Sequence, residues 1–210
     1  MPRTSSYSKE DIVAAGLELV RRSGEAALTA RNLARELGCS TSPIFTAFDN
    51  IDEIKLAVRK AAAAAFNKYE EGALNYVPAF KEYGIRLVRF AQEEQNLFKI
   101  IFLNPEAAHE GLDAQASACV DAFVKDYGLN EEQAMMLFTQ TWTFACGLAL
   151  LNASGAEALS DQEISDQLSR QFLSVLSFLK SGRDIGKITP RRRTEGDEKI
   201  TLDVDFQYRV

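Results

Sequence analysis

Thr29, Arg31, Thr41, Ser42, Pro43, Phe45 and Thr46 fall within eighteen consecutive positions and form a set of small hydroxyls, one guanidinium and an aromatic edge. Such groups bond phosphate oxygens and base edges, and the rim of Phe45 and the methyl of Thr46 can meet thymine methyls. This is recognition chemistry, not catalysis. Elsewhere the chain offers no Gly-rich phosphate loop and no G-x-S-x-G, and His109 is its only histidine, so neither a multi-histidine metal site nor a second imidazole for proton transfer is available. Cys39, Cys119 and Cys146 are odd in number and lack a C-x-x-C pair, which suggests neither a disulfide framework nor a zinc site. No enzyme activity, metal or cofactor is expected.

The hydroxyl-rich set needs a rigid support, and its own sequence supplies one. Thr29 to Phe48, TARNLARELGCSTSPIFTAF, reads as two short helices joined at Gly38. Thr29 is placed to cap the first, Leu33 and Leu37 share a face, and Ala34 is small enough for a crossing helix to come close. Gly38 supplies the positive φ that ends a helix without a Cβ clash, and Ser40 is placed to cap the second helix. That helix turns Ile44 and Phe48 inward, leaving Thr41, Ser42, Pro43, Phe45 and Thr46 outward. The pattern is a helix-turn-helix, whose second helix enters a DNA major groove.

The rest of the chain to residue 182 shows helical periods only. Ser8 to Ser23 is a capped helix with Ile12, Ala15, Gly16, Leu19 and Val20 on one stripe, ending at Gly24. Asn50, followed by Asp52 and Glu53, opens a long alanine-rich helix reaching about Tyr69. Beyond Pro78 at least four more helices are expected, broken near Asn104-Pro105, Gly128 to Asn130 and Gly155, with Asn130 opening one and Ser160-x-x-Glu163 opening the last. Residues 183–210 differ: a charged run, TPRRRTEGDEK, precedes ITLDVDFQYRV, whose alternation is that of a strand or hairpin arm needing a partner. A disordered tail with accidental alternation is the competing reading.

The expected fold is thus all-α, with a helix-turn-helix domain over 1–50, a helical domain over 51–182 and a charged, strand-like extension over 183–210. The net charge of −6 is unfavourable for a DNA binder, but Met1 to Lys60 holds nine Lys or Arg against eight Asp or Glu, so the acidic excess lies beyond the helix-turn-helix. No unbroken apolar run reaches the roughly 18 residues that span a bilayer, and the first residues lack a secretory apolar stretch. A cytoplasmic protein without membrane contact is expected.

These residues carry a family resemblance. A helix, then TARNLARELGCS, a short helix closing on Phe48 and a long helix opened by acidic residues resemble the DNA-binding domain of TetR/AcrR transcriptional regulators. Ser40-Thr41-Ser42-Pro43-Ile44-Phe45 is similar to a variant carrying Ser-Thr-x-Pro-Ile-aromatic. NLFKIIF at 96–102 and WTFACGLALL at 142–151 resemble ligand-domain segments of a subgroup with a Trp-His-Gly signature, matched here at Trp142 and Gly147, with Cys146 in place of the histidine.

The resemblance implies a homodimer that binds a palindromic operator, as a repressor, and releases it when a small molecule enters the C-terminal domain. Two recognition helices must sit roughly 34–36 Å apart to enter successive major grooves, so a modest domain motion can abolish docking. Phe90, Phe98, Phe102, Phe123, Phe138, Trp142 and Cys146 lie in the segments that would wall the effector pocket, and aromatic walls suit a hydrophobic or planar ligand; a filled aromatic core is the alternative. The helices at Glu131 to Ser154 and Asp161 to Lys180 are expected to form the dimer surface, with Ile164, Leu168, Phe172, Val175, Leu176 and Leu179 on the second packing both inward and across a partner, and close helix approach at Ala145, Ala149, Asn152 and Ala153 on the first; internal core packing alone is the alternative. Where the family often has tyrosine, Tyr or His, and lysine, this chain has Phe45, Ala47 and Ile51, none of which bonds a phosphate through its side chain. An alternative function follows: a TetR-like protein with weakened DNA binding that acts through protein–protein contacts.

Overall fold

A computed structural model describes residues 7–103, 112–155 and 158–182. Among these the regular structure is helical: α1 (Lys9–Ser23), α2 (Ala30–Glu36), α3 (Ser42–Ala47), α4 (Ile51–Tyr69), α5 (Ala79–Glu93), α6 (Gln95–Phe102), α7 (Leu112–Tyr127), α8 (Glu131–Ala153) and α9 (Asp161–Lys180). The fold is all-α, with an N-terminal helix-turn-helix and a C-terminal helical domain, as expected. The strand expected over 200–210 and His109 lie outside the described residues.

Local signals set most of the helix ends. Ser8 and Asp11 form a reciprocal capping box, as do Asn130 with Gln133 and Ser160 with Glu163. The Asn50 side chain accepts from the backbone N–H of both Asp52 and Glu53, which starts α4. One expectation needs correction. Ser40 does not cap α3; the N-cap position is Thr41, whose side chain makes no capping bond, and Pro43 in the first turn supplies the helical φ instead. A further boundary has no Gly or Pro to mark it: α5 and α6 are separate helices, parted at Glu94, whose φ of −121° and ψ of 48° leave the helical region.

The long α4 packs on α1 and also on α5 and α6, so it belongs to both halves of the chain. Gly16 makes the first of these contacts possible, since a Cβ there would sit 2.7 Å from the Val58 Cγ2. In the C-terminal part α5 lies against α8 and α9, and α8 against α5, α6, α7 and α9. Among the described residues α8 is the one helix long and apolar enough to cross a membrane by length and composition. Its uncharged run nevertheless includes Thr139, Gln140, Thr141, Thr143 and Asn152, and one face of it packs against four helices.

The small residues of α8 require a further correction. Ala145, Ala149, Asn152 and Ala153 are buried within the protomer. Asn152 accepts from Gln92 Nε2 at 2.8 Å and from the Leu159 N–H at 3.0 Å, and so ties α8 to α5 and to the turn before α9. The six apolar residues of α9 are buried as well. These side chains let helices approach inside one chain. The surface they leave outward is a different stripe, Met135, Met136, Thr139, Thr143, Gly147, Leu150 and Leu151.

Candidate functional site

The helix-turn-helix holds the residues that its sequence singled out. Leu33, Ile44 and Phe48 are buried, Gly38 has a φ of 66°, and Tyr7 clamps the turn by donating its hydroxyl to the Leu37 carbonyl. Over that base Thr41, Ser42, Phe45 and Thr46 are exposed and Pro43 is half-buried; Phe45 shows 45% of its surface, a large fraction for an aromatic ring. The Thr46 hydroxyl donates to the Ser42 carbonyl at 3.0 Å, which fixes its rotamer and leaves its lone pairs outward. Thr29 caps α2 by accepting from the Asn32 N–H, and Arg31 projects from the first turn of that helix.

Charge pairing sorts the cations of this end. Arg22 pairs with Glu36 at 2.8 Å, Lys9 with Glu53 at 3.1 Å, and Arg59 with Glu25 at 2.6 Å. The Arg22 guanidinium holds the Glu36 carboxyl below its ordinary range. Arg31 and Arg35, one turn apart on α2, are exposed and make no ion pair among the described residues, although Arg35 donates to Asn32 Oδ1. Sequence reasoning passed over Arg35. Its signal was the i, i+4 spacing from Arg31.

A junction joins this end to the C-terminal helices. Arg21 near the end of α1 donates through Nε to both oxygens of Glu94, at 3.0 and 2.9 Å, and also pairs with Glu18. Asn96 Nδ2 donates to the Arg21 carbonyl at 3.0 Å. The start of α6 is thereby fastened to the end of α1.

The aromatic residues expected around an effector form two clusters. In the first, Phe66 of α4 stands edge-on to Phe90 and Phe102 at 5.0 and 5.1 Å, Phe98 lies 4.8 Å from Phe102, and Trp142 lies 5.5 Å from Tyr83 and stacks on Phe138 at 6.0 Å. Phe123 belongs to the second, with Phe80, Tyr127 and Phe172. That cluster borders a cleft of about 190 Å³ lined by Phe80, Tyr127, Leu168 and Phe172, with Lys81 and Ser169 also in its wall. Cys146 is close enough to Tyr83 for a charge on one to act on the other, as is Cys119. Burial pushes both thiols up, to about 12 and about 11, so they are small hydrophobes and not thiolates.

One polar group in this interior escapes sequence reasoning. Glu70 follows the last residue of α4 and is 5% exposed, yet neither carboxyl oxygen has a hydrogen-bond partner among the described residues. Arg86 is nearby but committed: Nε donates to Glu82 at 2.8 Å and Nη1 to the carbonyls of Tyr69 and Glu71 at 3.3 and 2.8 Å. Burial raises the Glu70 carboxyl to about 9, against a smaller opposing pull from Arg86.

No curated protein matches the chain. Residues 80–176, which span α5 to most of α9, match the family model described as a tetracyclin repressor-like, C-terminal domain. The Trp-His-Gly subgroup is a finer assignment that this match does not make. The match covers less than half of the chain; it makes the C-terminal helices similar to those of tetracyclin repressor-like proteins and points to a transcriptional regulator rather than an enzyme.

Proposed function

We propose that the protein is a TetR-family repressor of the bacterial cytoplasm that binds a palindromic operator as a homodimer and leaves it when a hydrophobic or aromatic effector enters the C-terminal domain. Residues 1–50 read the DNA, 51–182 bind effector and partner, and 183–210 are an extension. The observation that carries this reading is the exposed set Thr41, Ser42, Phe45 and Thr46 on a short helix anchored by buried Ile44 and Phe48. Arg31 and Arg35 on α2 and its N-cap Thr29 bond phosphates beside it, and compensate in part for the apolar side chains at Phe45, Ala47 and Ile51.

Dimerisation gives the reading its geometry. The outward stripe of α8 carries no charge from Ala134 to Ala153 and exposes Leu151 to 67%, a surface suited to the same stripe of a second copy. The effector would act on α6, which carries Phe98 and Phe102 into the aromatic cluster and is fastened to α1 through Glu94, Asn96 and Arg21. A displacement of α6 then moves the whole helix-turn-helix. Coupling of roughly 1–3 kcal/mol suffices for a switch of this kind.

Gel-shift titration against the DNA upstream of the protein's own gene, over a range of salt, tests the reading. A sequence-specific shift is expected, with Arg31→Ala weakening binding to specific and unrelated DNA alike and reducing the salt slope by about 1. Absence of any sequence preference at low salt would overturn the repressor reading and favour a TetR-like fold acting through protein–protein contacts.

A further inference from the structure

Among the described residues Glu70 is the one whose buried polar atoms the fold leaves unpartnered. Both of its carboxyl oxygens are shielded from solvent and without a hydrogen bond, and a buried polar group in that condition costs the full desolvation of the unmade bonds. Its surroundings are aromatic. Phe66 precedes it by one turn of α4, Tyr83 of α5 is close enough for the two charges to interact, and Tyr83 in turn leads to Trp142 and Cys146. Among the described residues the two Glu70 oxygens are the buried side-chain polar atoms without a partner.

We infer that Glu70 anchors the effector, and that the effector is an organic cation, an amine or amidine on an aromatic body, whose charge the carboxylate meets beside Tyr83. This rests on the aromatic pocket proposed above and adds the charge of its occupant. With Glu70 neutral in the empty site, an anionic or alcoholic ligand would meet a single carboxyl O–H and gain no ion pair from it, and a purely apolar one would leave the carboxyl as it stands. A cation satisfies the acceptor, and the rings of Phe66, Tyr83 and Trp142 add cation–π attraction. The groups facing Glu70 leave that role to a ligand. Arg86 and Glu82 of α5 are paired with each other, Cys119 of α7 is neutral, and Tyr69 beside it on α4 has its hydroxyl donated to Glu93.

A proton must leave when the cation arrives. With the Glu70 carboxyl raised to about 9, the empty site holds a neutral acid at pH 7 and the occupied site a carboxylate, so cation affinity rises with pH across the neutral range.

Calorimetry on the full chain with three matched probes tests this: 2-naphthylmethylammonium, 2-naphthylmethanol and 2-naphthylacetate. The ammonium is expected to bind about tenfold or more tightly than the other two, and titrations in buffers of different ionisation enthalpy are expected to show release of about one proton. Glu70→Gln keeps the shape of the side chain. In a variant shown by circular dichroism to be folded, it is expected to bring ammonium and alcohol within about twofold of each other and to abolish proton release. Binding of the alcohol without preference for the ammonium would overturn the anchor and leave the pocket standing. A preference that survives Glu70→Gln would also overturn it, and binding by none of the three would remove pocket and anchor together.

Discussion

The two ends of α4 treat polar groups in opposite ways. At its start Asn50 caps two backbone N–H groups, and Glu53 accepts from the Asp49 N–H at 2.8 Å and pairs with Lys9. At its far end Glu70 is buried with nothing bonded to either oxygen. A segment that must present hydroxyls to DNA in one register gains from satisfied, short-range bonds that fix it. A segment that must change on binding gains from a group whose bonds are completed by the ligand, because that unmade interaction becomes the differential affinity that shifts a two-state equilibrium. The contrast is testable at both ends and in the hydrophobic cluster next to Glu70.

The largest effect is expected at Phe66. Its ring touches Tyr83, Phe90 and Phe102 and is 1% exposed, so Phe66→Ala removes an aromatic contact to each of three side chains and leaves a cavity where α4, α5 and α6 meet. Denaturant unfolding is expected to show a loss of about 3–5 kcal/mol, the range for truncating a buried Phe. A loss under about 1 kcal/mol would mean that the cluster is a loosely filled pocket even without ligand, and that Glu70 is less isolated than its burial indicates.

Next comes the pH dependence that Glu70 imposes. Its carboxyl sits near the ordinary 4.5 when the chain is unfolded and near 9 when folded, so between these values the native state holds a proton that the unfolded chain has lost. The stabilisation from that proton is complete below the unfolded value and is lost as pH rises toward the folded one, by at most about 1.4 kcal/mol per pH unit. Glu70→Gln has no such proton. Unfolding of the two proteins at several pH values between about 5 and 8 is expected to show the wild type losing stability relative to the variant as pH rises; parallel curves would mean that Glu70 is solvated and the contrast between the ends of α4 is false.

Sequence reasoning reaches the start of α4 and stops short of its end for a physical reason. Caps, the turn at Gly38 and the inward pair Ile44 and Phe48 are written in residues a few positions apart, and the structure keeps each of them. Glu70 sits in KYEEG beside Glu71, a pattern identical to a solvated charge pair at a helix end; only the arrival of α5, and of α7 farther along the chain, buries one of the two. The same distance hides the break at Glu94, where neither Gly nor Pro interrupts the sequence and the bend serves the bonds to Arg21. The small side chains of α8 read as outward because spacing shows a face and not which neighbour it meets. The candidate aromatic residues are legible as a group, but their division into two clusters, with Phe123 apart, depends on how α7 and α9 cross.

The smallest expected effect probes the satisfied end. Asn50→Ala removes the acceptor for the N–H groups of Asp52 and Glu53, and thermal or denaturant unfolding is expected to show a loss of about 1 kcal/mol. Asn50→Asp keeps an acceptor at the helix start but adds a charge next to Asp49 and Asp52, so the favourable interaction with the helix dipole is offset by like-charge repulsion and stability is expected to stay within about 0.5 kcal/mol of wild type. The consequence for function is larger than the energy suggests. Only Phe48 to Asn50 separate α3 from α4, so fraying of the first turn of α4 loosens the seat of α3, and the proposed specific DNA affinity is expected to fall while binding of a naphthylmethylammonium probe at the other end of α4 is unchanged. If both fall together, α4 transmits the disturbance along its whole length and its two ends are not independent.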